Sequence, residues 1–348
     1  NFIGGKWVDS RSGEEFERTN PATGELIGTF SKSTEEDVQA AVEAAREAFN
    51  RWRLYPAPKR GEILYRVGQL LIERKEQLAR EMTEEMGKVL TEARGDVQEG
   101  IDMTFYMAGE GRRLWGQTTP SELPNKWNMS VRKPLGVVGV ITPWNFPLAI
   151  PTWKIMPALI AGNTVVFKPA SYTSRMAVRL VEIFQEAGLP DGVINLVMGS
   201  GETVGNAILR HPDVALISFT GSTDTGTHVS VEGARLGKRV SLELGGKNAI
   251  IVTDDADIDL AVDGILWSAF GTSGQRCTAA SRVIAHRAIQ QELVEKLAAR
   301  AGGMRLGYGL EETTDIGPVV SASQLERVHS YVAIGQDEGA ELVVGGKI

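Results

Sequence analysis

Residues 136–244 alternate short apolar, β-branched runs with stretches of helical character, and this alternation constrains the fold more than any other feature of the chain. The runs cover 136–141, 164–167, 193–197, 215–219 and 240–244, with helical stretches such as 172–187 and 202–209 between them. Continuous apolar runs are what strands buried on both faces look like. Alternating β and α at this spacing predicts an α/β fold with a parallel, doubly wound sheet.

The rest of the chain is organised around that block. Residues 16–30 alternate about Asn20-Pro21-Ala22-Thr23-Gly24, a turn by composition. Ser33-Thr34-Glu35-Glu36 reads as a capping box, and Val38, Ala41, Val42, Ala45 and Phe49 then fall on one helical face. A longer helix is expected over 59–85, ending near Gly87, and a third over 91–114. Residues 115–133 are polar, with two prolines and two tryptophans, and read as an excursion of hairpin type. A second α/β block begins near Lys247, with strands expected at 249–252, 282–285 and 341–344 and helices at 260–270, 290–300 and 323–335.

Composition narrows the function classes. A length of 348 residues suggests two domains or one large α/β unit. Lys+Arg 37 against Asp+Glu 44 gives −7 with no basic run, which argues against nucleic acid or an anionic membrane as partner. A single cysteine forms no internal disulfide, so a cytoplasmic location is expected. No apolar run approaches the roughly 20 residues of a membrane helix, and the first residues lack a signal-peptide pattern. The chain lacks an initiator Met and stops abruptly at Gly345-Gly346-Lys347-Ile348, so it is expected to be a piece of something longer.

Several residues have chemical promise. Cys277 lies in Gly271-Thr272-Ser273-Gly274-Gln275-Arg276-Cys277, where small residues let backbone approach the sulfur and Arg276 adds positive charge. Nearby N–H groups and cations favour a thiolate, although a lone cysteine is more often inert. Glu243 ends an apolar run and precedes Gly245-Gly246. A glutamate held among apolar residues suits a general base, against the commoner reading of a solvated strand residue. Phe219-Thr220-Gly221-Ser222 follows one strand and opens a helix, so its N–H groups can receive a phosphate. Gly199, Gly201 and Gly205 miss the dinucleotide fingerprint by one residue, a weak signal alone. Asn145 lies in the rigid loop Thr142-Pro143-Trp144-Asn145-Phe146-Pro147, and Lys168 projects from the carboxyl end of a strand. Four scattered histidines offer no metal-ligand spacing, so no metal is expected.

Together these segments resemble the NAD(P)-dependent aldehyde dehydrogenase superfamily. The matching pieces are the Thr142–Pro147 loop, Lys168-Pro169-Ala170-Ser171, Phe219-Thr220-Gly221-Ser222, Glu243-Leu244-Gly245-Gly246-Lys247 and Gly274-Gln275-Arg276-Cys277, in order and with 34 residues from Glu243 to Cys277. The resemblance implies Cys277 as nucleophile, Glu243 as general base, and Asn145 with the Cys277 N–H as oxyanion hole. It implies cofactor contacts from Ile141, Thr142, Pro143, Trp144, Lys168, Ser171, Gly201, Gly205, Phe219, Thr220, Gly221, Ser222, Thr225, Leu244 and Gly245. Lys154 is grouped with the catalytic residues, and Arg132, Lys133, Lys154 and Arg276 are expected to offer charge to an acidic aldehyde.

The family fold implies a Rossmann-like cofactor domain at 1–114 and 134–244, an oligomerisation hairpin at 115–133 and an incomplete catalytic domain at 245–348. The family's Glu-x-Phe-Gly-Pro motif, which anchors the nicotinamide ribose, lies beyond the last residue of this sequence. The implied activity is oxidation of an aldehyde, in particular a semialdehyde such as that of 2-oxoglutarate or succinate, to a carboxylic acid through a thiohemiacetal and thioester. The alternatives are a coenzyme A-acylating relative and a silent structural member of the fold. A homodimer or homotetramer is expected. Ser171 stands where NAD-preferring relatives often carry a glutamate, so NADP is expected to be accepted alongside NAD, or preferred to it. Helix capping by Ser171 is the competing reading.

Overall fold

The computed structural model describes residues 1–348. The chain opens with β1 (Phe2–Ile3) and β2 (Lys6–Trp7), then β3 (Glu15–Thr19) and β4 (Leu26–Ser31), which pair as a ribbon. Asn20 makes the turn between them: its side-chain oxygen accepts from the Ala22 N–H at 2.9 Å, and Gly24 takes φ +76°. Next come α1 (Glu35–Trp52), α2 (Ala57–Glu73), α3 (Lys75–Met86) and α4 (Leu90–Glu110), followed by the short strands β5 (Thr118–Pro120) and β6 (Trp127–Met129). The central block holds β7 (Val137–Ile141), α5 (Ala149–Ile160), β8 (Thr164–Lys168), α6 (Ser174–Glu186), β9 (Ile194–Leu196), α7 (Asn206–Arg210), β10 (Val214–Thr220), α8 (Thr223–Arg235) and β11 (Arg239–Glu243). The chain continues through β12 (Asn248–Val252), α9 (Ile258–Phe270), β13 (Ala280–Ala285), α10 (Gln290–Gly302) and α11 (Ala322–Asp337).

The chain divides into two compact units. The first comprises Asn1–Glu17, Gly28–Leu78 and Arg94–Glu243. Its seven-stranded sheet has the order β11-β10-β7-β8-β9-β1-β2. The five strands from β11 to β9 run parallel, and β1 and β2 close the edge antiparallel. Every residue of β7, β8 and β9 is buried, which explains their continuous apolar runs. Helices supply the two covering layers, and fully enclosed side chains such as Trp52, Leu64, Phe167 and Phe184 fill the core. Each such side chain contributes about 1.5–3 kcal/mol through removal from water.

The second unit comprises Arg18–Ile27, Ala79–Ala93 and Leu244–Ile348. Strands β12 and β13 pair in parallel, and Val252, Val262, Ile265, Leu266, Ile289 and Leu293 form a core with α9 and α10.

Four sequence expectations are corrected. The capping box sits one residue later: Thr34 is the cap, and Asp37 accepts from its N–H at 2.9 Å. The long helix over 59–85 is two helices, because Arg74 leaves helical geometry (φ −106°, ψ 8°) and pairs with Glu186 of α6. The helix expected to reach 114 ends at Glu110. Residues 341–344 form no strand, since no neighbour accepts their backbone bonds; Val343 and Val344 instead line an apolar pocket with α9 and α10. No helix is long and apolar enough to cross a membrane.

Candidate active site

In the first unit, β7 leads to β8 on one side while β10 lies on the other, so the strand order reverses between β7 and β10. In open α/β sheets a ligand crevice forms outside the carboxyl ends at that switch point. Ile141, the last residue of β7, is in register with Lys168 on one side and Phe219 on the other. The Thr142 N–H donates to the Lys168 carbonyl at 3.1 Å, and the buried Thr142 hydroxyl makes no hydrogen bond. Pro143, Trp144 and Asn145 follow, each half-buried. The loop feeds into α5, where the Ala149 N–H donates to the Asp96 carboxylate of α4 at 2.8 Å. Asp96 thus fixes the exit of the Asn145 loop. Sequence reasoning missed this residue, which stands in an ordinary charged helix with nothing to distinguish it.

Lys168 is buried, and its ammonium donates to the Pro169 carbonyl at 2.8 Å. Burial pushes its pKa down to about 8. Gly205 lies alongside, with the Lys168 Cδ 3.8 Å from where a Cβ would stand. Gly201 and Gly205 bound a single π-helical turn capped by the Ser200 hydroxyl, which accepts from the Thr203 N–H at 2.9 Å. Ser171 is not a helix cap: its hydroxyl donates to the Gly199 carbonyl at 3.2 Å, tying the β8 turn to the β9 turn.

At the end of β10, Thr220 is in register with Glu243 of β11, and the Gly221 N–H donates to the Glu243 carbonyl at 3.1 Å. A Cβ on Gly221 would stand 2.4 Å from the Phe219 ring, so a side chain there would displace that ring. Ser222 caps α8: its hydroxyl accepts from the Thr225 N–H at 3.3 Å and donates to the Thr225 hydroxyl at 2.9 Å. The positive end of a 13-residue helix therefore faces the crevice end of the sheet.

Glu243 is not held among apolar residues as expected. It ends the edge strand β11, whose residues alternate in exposure, and it is exposed. Lys154 of α5 is buried instead, donating to the Phe219 carbonyl at 3.2 Å and the Ser218 hydroxyl at 3.3 Å. Burial lowers its pKa to about 8 against the opposing attraction of the Glu243 carboxylate.

In the second unit, the backbone ahead of Cys277 is strained. Thr272 and Ser273 take φ +54° and +56°, and Gly274 takes +73°. A non-glycine residue there costs of order 1–3 kcal/mol. The Thr272 N–H is held by both Glu92 oxygens at 2.9 and 2.7 Å, and the Ser273 hydroxyl donates to the Gly317 carbonyl at 2.7 Å. The Gln275 side chain accepts from the Val320 N–H at 3.1 Å. Cys277 itself is exposed, and its carbonyl accepts from the Asn248 side chain at 2.8 Å, which ties it to the start of β12. Leu244, in the same unit, is half-buried, and a Cβ at Gly245 would meet nothing within 4 Å, so no protein atom demands that glycine.

Arg276 departs from expectation. Its guanidinium donates to Glu92 at 2.6 Å and to the Thr272 hydroxyl at 3.0 Å, and it lies 4.7 Å from the Trp267 ring centroid. A Cβ on Gly271 would strike it at 2.6 Å. With its charge matched by Glu92, Arg276 offers no uncommitted cation to the thiol or to a substrate. Glu92, like Asp96, carried no mark in the sequence.

Comparison with known proteins places these features in a wider group. The family model described as the aldehyde dehydrogenase family matches residues 7–348. An alpha-ketoglutaric semialdehyde dehydrogenase of Bacillus subtilis is 44% identical over 348 residues, covering 100% of this chain and 71% of that protein. A malonate-semialdehyde dehydrogenase of Geobacillus kaustophilus is 46% identical over 347 residues, covering 100% and 72%. Among solved structures, an NADP dependent enzyme from E. coli matches with TM-score 0.96 at 40% identity, covering 99% of this chain and 72% of that one. A betaine aldehyde dehydrogenase from Staphylococcus aureus in complex with NAD+ matches with TM-score 0.98 at 38% identity, covering 99% and 69%.

Proposed function

The chain belongs to the aldehyde dehydrogenase family, and from that premise we propose that it oxidises an acidic semialdehyde to the dicarboxylic acid through a covalent intermediate on Cys277. The observation that carries the reading is Cys277 itself: the one thiol of the chain, exposed, and following a backbone turn held in a costly conformation. Strain that surrounding bonds maintain is characteristic of functional sites.

Family members use NAD(P), and the first unit's crevice fits such a group. The support is a helix N-terminus at the switch point, a turn closely packed at Gly221 against the Phe219 ring, and a buried Thr142 hydroxyl with no protein partner. Ile141, Thr142, Pro143, Trp144, Lys168, Ser171, Gly201, Gly205, Phe219, Thr220, Gly221, Ser222, Thr225, Leu244 and Gly245 are the proposed contacts. Bound NAD(P) supplies the hydride acceptor. The Cys277 thiolate attacks the aldehyde carbon, and Asn145 with the Cys277 N–H receives the developing oxyanion. Donors of this kind are typically worth about 3–4 kcal/mol each. Loss of hydride leaves a thioester on the sulfur. Glu243 takes a proton from water, which attacks the thioester, releases the carboxylate and restores the thiol. Lys154, coupled electrostatically to Glu243 and anchored on the Phe219 carbonyl, is proposed to orient the base.

The substrate class rests on the relatives named for alpha-ketoglutarate and malonate semialdehydes. A panel of aldehydes ranked by kcat/KM tests it: dicarboxylic semialdehydes are expected to lead, and a neutral aliphatic aldehyde in first place refutes it. Product that forms only with coenzyme A present would indicate the acylating reaction. A homodimer or homotetramer is proposed through the hairpin β5–β6, which exposes Trp127 and Met129; light scattering of the intact protein tests it.

Cofactor choice gives two expectations. Ser171 places no carboxylate against a 2′-phosphate, so NADP is proposed to be accepted, and preferred where Lys168 adds charge. Ser171→Glu is expected to shift the kcat/KM ratio about 10–150-fold toward NAD, the worth of one charge-assisted bond at roughly 1.5–3 kcal/mol. Wild-type use of NAD alone, with an unmoved ratio in the variant, rejects the assignment. Lys168, held down at about 8, is charged below that pH and neutral above it. The charged form favours a phosphate, so KM for NADP is expected to rise as pH increases through 8, and more than KM for NAD. Equal pH dependence for both cofactors removes Lys168 from that role.

A further inference from the structure

Three observations in the second unit converge on one side chain. Glu92 of α4 accepts the Thr272 N–H with both oxygens and takes the Arg276 guanidinium at 2.6 Å, while Arg276 also donates to the Thr272 hydroxyl. The three groups close a ring of charge-assisted bonds around the two left-handed, non-glycine residues of the loop. The Arg276 and Glu92 side chains are largely withdrawn from water, at 9% and 18% exposure, so the pair is little screened. Trp267 covers the guanidinium from one side, and Gly271 leaves room for it.

We propose that Glu92 is a positioning residue for the Cys277 loop, which holds Thr272 in its left-handed conformation and cancels the charge of Arg276. The consequence runs through one peptide bond. Arg276 is covalently joined to Cys277, so fixing the guanidinium fixes the peptide that carries the Cys277 N–H. The proposal rests on the reading of Cys277 as nucleophile and adds a residue that touches neither substrate nor cofactor. The guanidinium charge is thereby balanced within the loop that leads to Cys277.

Alkylation by iodoacetamide, read by mass spectrometry on the peptide that contains Cys277, reports on this thiol. The test compares the intact protein with Glu92→Gln, Arg276→Met and the double variant at about pH 7, by alkylation rate and by aldehyde turnover. Glu92→Gln leaves the Arg276 charge unopposed and is expected to speed alkylation about 3–10-fold, while Arg276→Met leaves the carboxylate unopposed and slows it by a similar factor. The double variant returns to near the wild-type rate. In all three, kcat is expected to fall about 10-fold or more with KM for the cofactor unchanged.

A merely structural role moves alkylation the same way in both single variants, or not at all, and either result overturns the proposal. If Glu92→Gln does not fold, Arg276→Met decides alone, since faster or unchanged alkylation contradicts it. Failure of the wild type to oxidise any aldehyde would refute the dehydrogenase reading while the alkylation cycle still reports on the Glu92–Arg276 pair.

Discussion

Cys277→Ala is expected to lower aldehyde-dependent reduction of NAD(P) by at least about 10³-fold, with cofactor binding retained. The loss is large because the thiolate opens the only covalent route in the proposed mechanism. Without it, hydride would have to leave a hydrated aldehyde that no group holds. Residues 1–348 hold no other cysteine, so no second thiol within them can substitute. Stability should change little, within about 0.5 kcal/mol, because the side chain is exposed and fills no core space. Steady-state rates with saturating semialdehyde, alongside a melting curve, check both parts. Turnover at the wild-type rate would end the thiol mechanism.

Glu243→Gln separates the two halves of the reaction. Attack and hydride loss need no base at residue 243, so a first turnover of reduced cofactor should still appear as a burst. Hydrolysis of the thioester needs it in the proposed mechanism, and the steady rate is expected to fall about 10²–10⁴-fold, the usual worth of general base catalysis. The exposed position of Glu243 at the end of β11 leaves it open to water, which suits that task. Stopped-flow absorbance at the reduced-cofactor band resolves the two phases. A wild-type steady rate would mean that another group activates water, and recovery by added coenzyme A would favour the acylating reaction.

The centre of the sheet was legible in the sequence because strands buried on both faces must be apolar throughout; β7, β8 and β9 appear within two residues of expectation. The break at Arg74 was not, because Arg74 and Lys75 are both good helix formers and no glycine or proline marks the turn. Residues 341–344 are apolar enough for a strand, but a strand also needs a neighbour, which local sequence does not report. The same distinction divides the site. The Phe219–Ser222 turn could be read, as a strand-to-helix junction, because an apolar run ends there and a glycine-containing turn opens a helical stretch. Glu92 and Asp96 could not, because their partners lie about 180 and 50 residues away in sequence and a helical carboxylate is usually solvated. Arg276 was visible, but its charge was misjudged because the carboxylate that cancels it was not.

Stability of the folded core does not distinguish these readings, but chemistry on the sulfur does. Intact-mass spectrometry of Glu243→Gln, quenched in acid during turnover with NAD(P) and a semialdehyde, tests the covalent route directly. The account predicts a mass increment equal to the acyl group, located on the peptide that contains Cys277 and formed in step with the burst of reduced cofactor. Reduced cofactor formed with no adduct on Cys277 would contradict it.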